Sequence, residues 1–288
     1  MSSTMLATGM FSQMQLPYGI ASLKGRLPAL TDAVGHVPSF SRLSPPMAMD
    51  FFGVFDGSFG AYSARHQVER LHVAVAVAQG IEDDLAAEAP RFLEFPQDVV
   101  GWWRKTVLDA FRLVDDELVA KAVGGVALGS PTVMALVLSD YLVVANRGAT
   151  CGAVIYRGEE AVQLTSEPRP EKEGQNAENP GGHVVGSTSN LEDHMTTSHA
   201  ILFKPYDPIP EVLVVDRKPQ DKFLILASSG VWDHVTPLEA CSFIQTRLCT
   251  SPITIPLTII AKELAELAMC NGSRRNATVT IIPFNNFV

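Results

Sequence analysis

Residues 51–60 read Phe51-Phe52-Gly53-Val54-Phe55-Asp56-Gly57-Ser58-Phe59-Gly60, an apolar run that ends on a carboxylate and a flexible backbone. A buried strand that hands Asp-Gly to a turn can place a metal ligand or a catalytic carboxylate. The competing reading is an Asp-Gly turn with no chemistry. Asp32, after Thr31, is a second candidate carboxylate, and Arg26, Arg274 and Arg275 are candidate anion-binding groups. Hard dications need more oxygen ligands than two carboxylates supply. Cys151, Cys241, Cys249 and Cys270 form no C-x-x-C pair and have no His at zinc spacing, so they read as reduced, mostly buried thiols. His66, His183 and His194 show no pairing that points to nucleophilic catalysis.

The elements that must position these residues follow from periodicity. Residues 18–23 and a stretch starting near Asp32 read as strands around a Lys24-Gly25-Arg26-Leu27-Pro28 turn. Ala64, Val68, Leu71, Val75 and Ala78 repeat at helical spacing, and Trp103, Val107, Phe111, Val114 and Leu118 form a second apolar stripe that reads as core. Beyond Gly124-Gly125 the pattern turns to strands over 132–138, 141–146, 151–156, 161–164, 213–215 and 222–227. Residues 166–193 form the longest expected loop. Thr236-Pro237-Leu238-Glu239 is a helix start, with a Thr cap, Pro at the first helical position and Glu three residues after the cap. A last helix over 256–270 stops at Asn271-Gly272, and residues 277–284 close the chain as a strand. Helix pairs after an early strand and near the end, with strands between, imply sheets sandwiched between helix pairs.

A chain of 288 residues with 47% hydrophobic and 18% charged residues can bury a full core. Its formal net charge of −9 argues against nucleic acid or an anionic membrane surface as partner. The first sixteen residues lack a positive n-region, and every apolar stretch is interrupted well short of a membrane span. The expectation is a soluble protein, cytoplasmic or nuclear, with a 1–17 arm and a single 18–288 domain.

Six segments in order resemble the metal-dependent protein phosphatases of type 2C: 21–33, 51–60, 129–132, 143–154, 223–233 and 273–284. The resemblance implies an α+β fold, a four-layer αββα sandwich of two antiparallel sheets flanked by helix pairs. It also implies two Mn or Mg ions held by clustered aspartates, which would lower the pKa of a bridging water for attack on phosphorus.

Carried over position by position, most of that ligand set is missing. Asp56 and the carbonyl of Gly57 match the family's D-G-H-G-G motif, but its His, a proton donor in the family, is Ser58 here. The acidic pair E-D is Thr31-Asp32, and the phosphate-binding Arg aligns with Leu27, one residue from Arg26. The Asp of G-D-S-R is Ala149, that of S-D-G-h-W-D is Ser229, and that of the final D-N is Arg275. Ser229 and Arg275 together shift the local charge by three units against a dication. Each unit counts for about 4 kcal/mol at ~4 Å and an effective dielectric of about 20.

The sequence reading is therefore a type 2C-like pseudoenzyme that regulates phosphorylation signalling by binding a kinase, a phosphatase or a phosphoprotein. Asp32, Asp56 and Gly57 form a vestigial metal site, and no cofactor is expected unless that site retains Mn or Mg. Arg275 is expected to pair with Asp56 or Asp32 in place of metal. The alternatives are a weak Mn/Mg-dependent serine/threonine phosphatase and a metal-free phosphopeptide-binding module around Arg26, Arg274 and Arg275.

Overall fold

The computed structural model describes residues 16–38, 49–87, 98–121, 129–148, 150–165, 209–250 and 255–284, without the side chains of Phe59, residues 79–87 and Thr250. Within these residues, ten strands form two antiparallel sheets. One has the order β2 (Ala33–Val37), β3 (Asp50–Phe55), β4 (Thr132–Val137), β5 (Tyr141–Arg147), β8 (Glu211–Asp216). The other runs β1 (Gly19–Leu23), β10 (Ala277–Pro283), β9 (Asp221–Ser228), β6 (Cys151–Arg157), β7 (Glu160–Gln163).

Side-chain alternation explains why both faces of each sheet are apolar. In β3, Phe51 and Phe55 pack under helices α1 (Ala61–Ala87) and α2 (Val99–Lys121), while Phe52 and Val54 face the other sheet. In β9, Phe223, Ile225 and Ala227 meet helices α4 (Pro237–Thr250) and α5 (Leu257–Cys270), while Leu224 and Leu226 point inward. The result is the expected four-layer sandwich, α-β-β-α. The α2 stripe, Trp103 to Leu118, is buried at every position named from the sequence.

Thr236 caps α4 as expected. Its Oγ1 accepts from the Glu239 N–H at 3.3 Å, and Glu239 Oε2 accepts from the Thr236 N–H at 2.8 Å. Two readings change. The first helix extends to Ala87, past the point where its apolar repeat fades, and Ser229–Trp232 form a single helical turn, α3, at the end of β9. The four cysteines are free thiols, but only Cys151 and Cys241 are buried, whereas Cys249 and Cys270 are exposed. The loop expected over 166–193 lies outside the described residues, as does most of the 1–17 arm.

The strand registers gather the candidate residues. Ala33 pairs with Phe55, Phe55 with Thr132, Cys151 with Ser228, and Leu23 with Ala277. Asp32, Asp56, Ser229 and Arg275 therefore emerge at one end of the sandwich, where β2 and β10 begin and β3 and β9 end.

Candidate functional site

Asp56 leaves β3 in an extended conformation and is 5% exposed. Its N–H donates to the Pro131 carbonyl at 2.9 Å, which fixes the carboxylate at the mouth of the two sheets. Asp56 Oδ1 accepts from the Ser58 N–H at 2.8 Å and caps the short 3-10 turn Gly57–Phe59. Its Oδ2 accepts from Ser229 Oγ at 3.1 Å. Gly57 is needed here because a Cβ would lie 2.1 Å from the Thr31 carbonyl oxygen. That close approach brings Asp32 alongside.

Asp32 is equally occupied by protein donors. Oδ1 accepts from the Gly57 N–H at 3.1 Å and Oδ2 from Thr278 Oγ1 at 2.8 Å. Burial first, and the neighbouring Asp56 carboxylate second, push its pKa up to about 6, against the pull of hydrogen bonds from Gly57, Thr278 and Ser228. Thr31 Oγ1 takes a bond from Asn276 Nδ2 at 3.0 Å. Ser58 is exposed and contributes its backbone N–H.

Arg275 departs from its expected role. It does not pair directly with either carboxylate. Its Nη1 donates to Ser229 Oγ at 3.2 Å, and Ser229 Oγ in turn donates to Asp56. Nη1 also lies 3.8 Å from Asp233 Oδ2. A buried serine hydroxyl has one proton to give and lone pairs to accept with, so it can pass the guanidinium's influence to Asp56 without a direct ion pair.

The structure brings Asp32, Asp56, Gly57, Ser58, Ser229 and Arg275 together, with Thr31 beside Gly57, and it adds one donor that the sequence reading did not name, Thr278. Thr278 was legible only as one of the alternating threonines of a closing strand. Cys151, buried at the start of β6 with its Sγ 3.7 Å from the Pro131 carbonyl oxygen, is held well above the usual thiol range by burial and then by Asp56 and Asp32. Ala149 lies outside the described residues.

These contacts decide the fit to a two-ion centre. All four oxygens of the converging carboxylates accept from protein donors, and a guanidinium stands one hydroxyl away. Among the described residues no three His, Cys, Asp or Glu side chains gather as an ion site. With these oxygens already accepting and Arg275 one hydroxyl away, a hard dication would have to displace the Ser229–Arg275 pair and draw most of its shell from water. Among the described residues, the donor set does not fit two Mn or Mg ions.

A family model described as Protein phosphatase 2C matches residues 17–277. The chain belongs to the protein phosphatase 2C family. Protein phosphatase 2C 56 of Arabidopsis thaliana is 31% identical over 302 residues, covering 92% of this chain and 67% of its own. Protein phosphatase 2C 77 of the same plant is 31% identical, with 92% and 70% covered. Among solved structures, a C. elegans sex determining protein superposes with TM-score 0.70 at 16% identity, covering 94% of this chain and 65% of that one. A serine-threonine phosphatase 2C from Toxoplasma gondii gives 0.65 at 18%, with 94% and 96% covered. At these identities the two structures speak to the fold alone.

The Asp32–Asp56 pair yields a first test. Asp32 binds its proton more tightly when folded than when unfolded. Its contribution to stability is therefore full below about pH 4 and is lost as pH rises through about 6. Asp32→Asn should keep the acceptor for Gly57 while Thr278 turns its hydroxyl to accept. The variant should be more stable than wild type by about 1–2 kcal/mol at pH 7.5, a Tm gain of roughly 2–3 °C, with the gain gone at pH 4. Thermal melts in chelator at the two pH values check this. A variant less stable than wild type at pH 7.5 would mean that Asp32 is held by something more cationic than these donors.

Proposed function

We propose that this protein is a catalytically inactive member of its family, a pseudophosphatase whose work is binding and regulation in phosphorylation signalling. The observation that carries this reading is the Arg275–Ser229–Asp56 chain of hydrogen bonds, which stands where the resemblance calls for two metal-binding aspartates. Partners of this class are a kinase, a phosphatase or a phosphoprotein held without turnover. We infer that 18–288 act as one domain behind the 1–17 arm. Cytoplasmic or nuclear placement fits the absence, among the described residues, of a helix long and apolar enough to cross a membrane.

The test is hydrolysis of a generic aryl phosphate in millimolar Mn, beside an Asp56→Ala variant. Wild type and variant are expected to be equally inactive. Turnover by the wild type that disappears in Asp56→Ala would defeat this reading. It would establish the second one, a weak Mn- or Mg-dependent serine/threonine phosphatase, which the convergence of Asp32, Asp56 and the Gly57 backbone favours.

A further inference from the structure

The loop that leaves β1 and the segment that enters β10 are clasped backbone to backbone. The Arg26 N–H donates to the Arg274 carbonyl at 2.8 Å, and the Gly25 N–H donates to Asn276 Oδ1 at 3.3 Å. Asn276 Nδ2 reaches the Ala29 carbonyl at 3.3 Å and Thr31 Oγ1 at 3.0 Å. A Cβ on Gly25 would lie 2.2 Å from the Arg275 carbonyl oxygen, so only glycine lets the two backbones approach this closely. The loop is thereby fixed at Gly25, Arg26, Ala29 and Thr31, while nearly every side chain from Lys24 to Leu30 is exposed.

What this clasp holds together is unusual for the molecule. Lys24, Arg26, Arg274 and Arg275 sit on adjacent backbones in a chain of formal net charge −9. Among the described residues, no hydrogen bond or ion pair engages the side chain of Lys24 or Arg26. Arg275 is 55% exposed and, among the described residues, engages only through Nη1, toward Ser229 and, at 3.8 Å, Asp233. In the same loop Leu27 and Leu30 are 40% and 37% exposed. Packing accounts for neither Lys24 nor Arg26, and holding their like charges close together is unfavourable until an anion arrives. Guanidiniums bind carboxylates through paired N–H groups, and exposed leucines beside them offer an apolar anchor.

We propose that residues 24–30, with Arg274 and Arg275, form a preorganised docking lip for an acidic peptide segment of a partner protein. Its carboxylates meet the arginines, and an apolar side chain covers Leu27 and Leu30. Because the loop is already ordered by its clasp, binding does not have to order it.

The experiment is fluorescence anisotropy of a labelled glutamate-rich peptide carrying leucines, titrated with the full chain. Controls are the same peptide with lysines for glutamates and a version with phosphoserine in place of one glutamate. The glutamate peptide should bind, more weakly as salt rises, and the lysine peptide should not. Arg26→Glu and Leu27→Asp, both at exposed positions, should each weaken binding roughly tenfold or more while circular dichroism and Tm stay near wild type. Absence of binding by the glutamate peptide, equal binding of the lysine peptide, or an unchanged Kd in Arg26→Glu would overturn the proposal. Binding restricted to the phosphoserine peptide and competed by inorganic phosphate would also overturn it, in favour of a phosphate-specific site. The result is independent of turnover in Mn, so failure here and failure of the pseudoenzyme reading are distinguishable.

Discussion

A Ser229→Asp, Arg275→Asp double variant should bind Mn in a way the wild type is expected not to. Ser229 is 2% exposed, with its Oγ 3.1 Å from Asp56 Oδ2, so a carboxylate there enters the shared space of Asp32 and Asp56. In chelator the variant should be less stable than wild type, because buried like charges repel and nothing neutralises them. Millimolar Mn should reverse this. An ion present at about a hundred times its Kd stabilises by about 2.7 kcal/mol, a Tm rise of roughly 4–5 °C in a chain of this size. Wild type should show no Mn-dependent shift. Ala149 remains alanine in the variant, so recovery of one ion, and not full turnover, is the expected result. Calorimetric titration with Mn gives the same answer without heating. A wild type that melts higher in Mn, or a variant indifferent to it, would show that Ser229 and Arg275 are not what sets the affinity.

The elements were legible in the sequence wherever one physical rule dominated. The α2 stripe and the Thr236 cap depend on neighbours a few residues apart, and both formed where the residues placed them. The two-sided apolar runs of β3 and β9 likewise marked strands covered on both faces. Strand order was not legible from such rules, because β1 pairs with β10 from the far end of the chain. The resemblance implied two antiparallel sheets without their strand order, and it also placed Asp32 and Asp56 beside Ser229 and Arg275. What the sequence could not give was the hydrogen-bond partners within the site. Arg275 was expected to reach a carboxylate directly, since charge attraction is the only term visible in a list of residue types. In the folded chain Ser229 lies between, and Thr278 supplies Asp32 with a donor that no motif marks. Local charge chose the participants, while backbone geometry chose who touches whom.

Asp115→Ala should be the most damaging single substitution at this end of the fold, and the reason lies outside the carboxylate pair. Arg147 is 1% exposed, and its Nη1 donates to both oxygens of Asp115, at 2.8 and 2.7 Å. Its guanidinium also lies 4.6 Å from the centre of the Phe111 ring. Removing one partner of a buried pair costs about 3–5 kcal/mol. Asp115 is 30% exposed and water can take part of its place, so about 2–3 kcal/mol is expected. Replacing both residues by apolar ones, Asp115→Ala with Arg147→Met, should cost less than Asp115→Ala alone, because no buried charge is left behind. Denaturant melts of the two single variants and the double close the cycle. The effect should reach the candidate site through a short path. Gly129 packs against Arg147 and Asp115, and the Ser130 N–H next to it donates to Gln67 Oε1. Pro131 then accepts the N–H that fixes Asp56. Hydrogen exchange at the Asp56 amide should therefore accelerate in Asp115→Ala more than exchange in β10, whose pairing to β9 does not depend on this ion pair. Uniform acceleration across both sheets would mean that the pair stabilises the whole sandwich and does not specifically hold Asp56 in place.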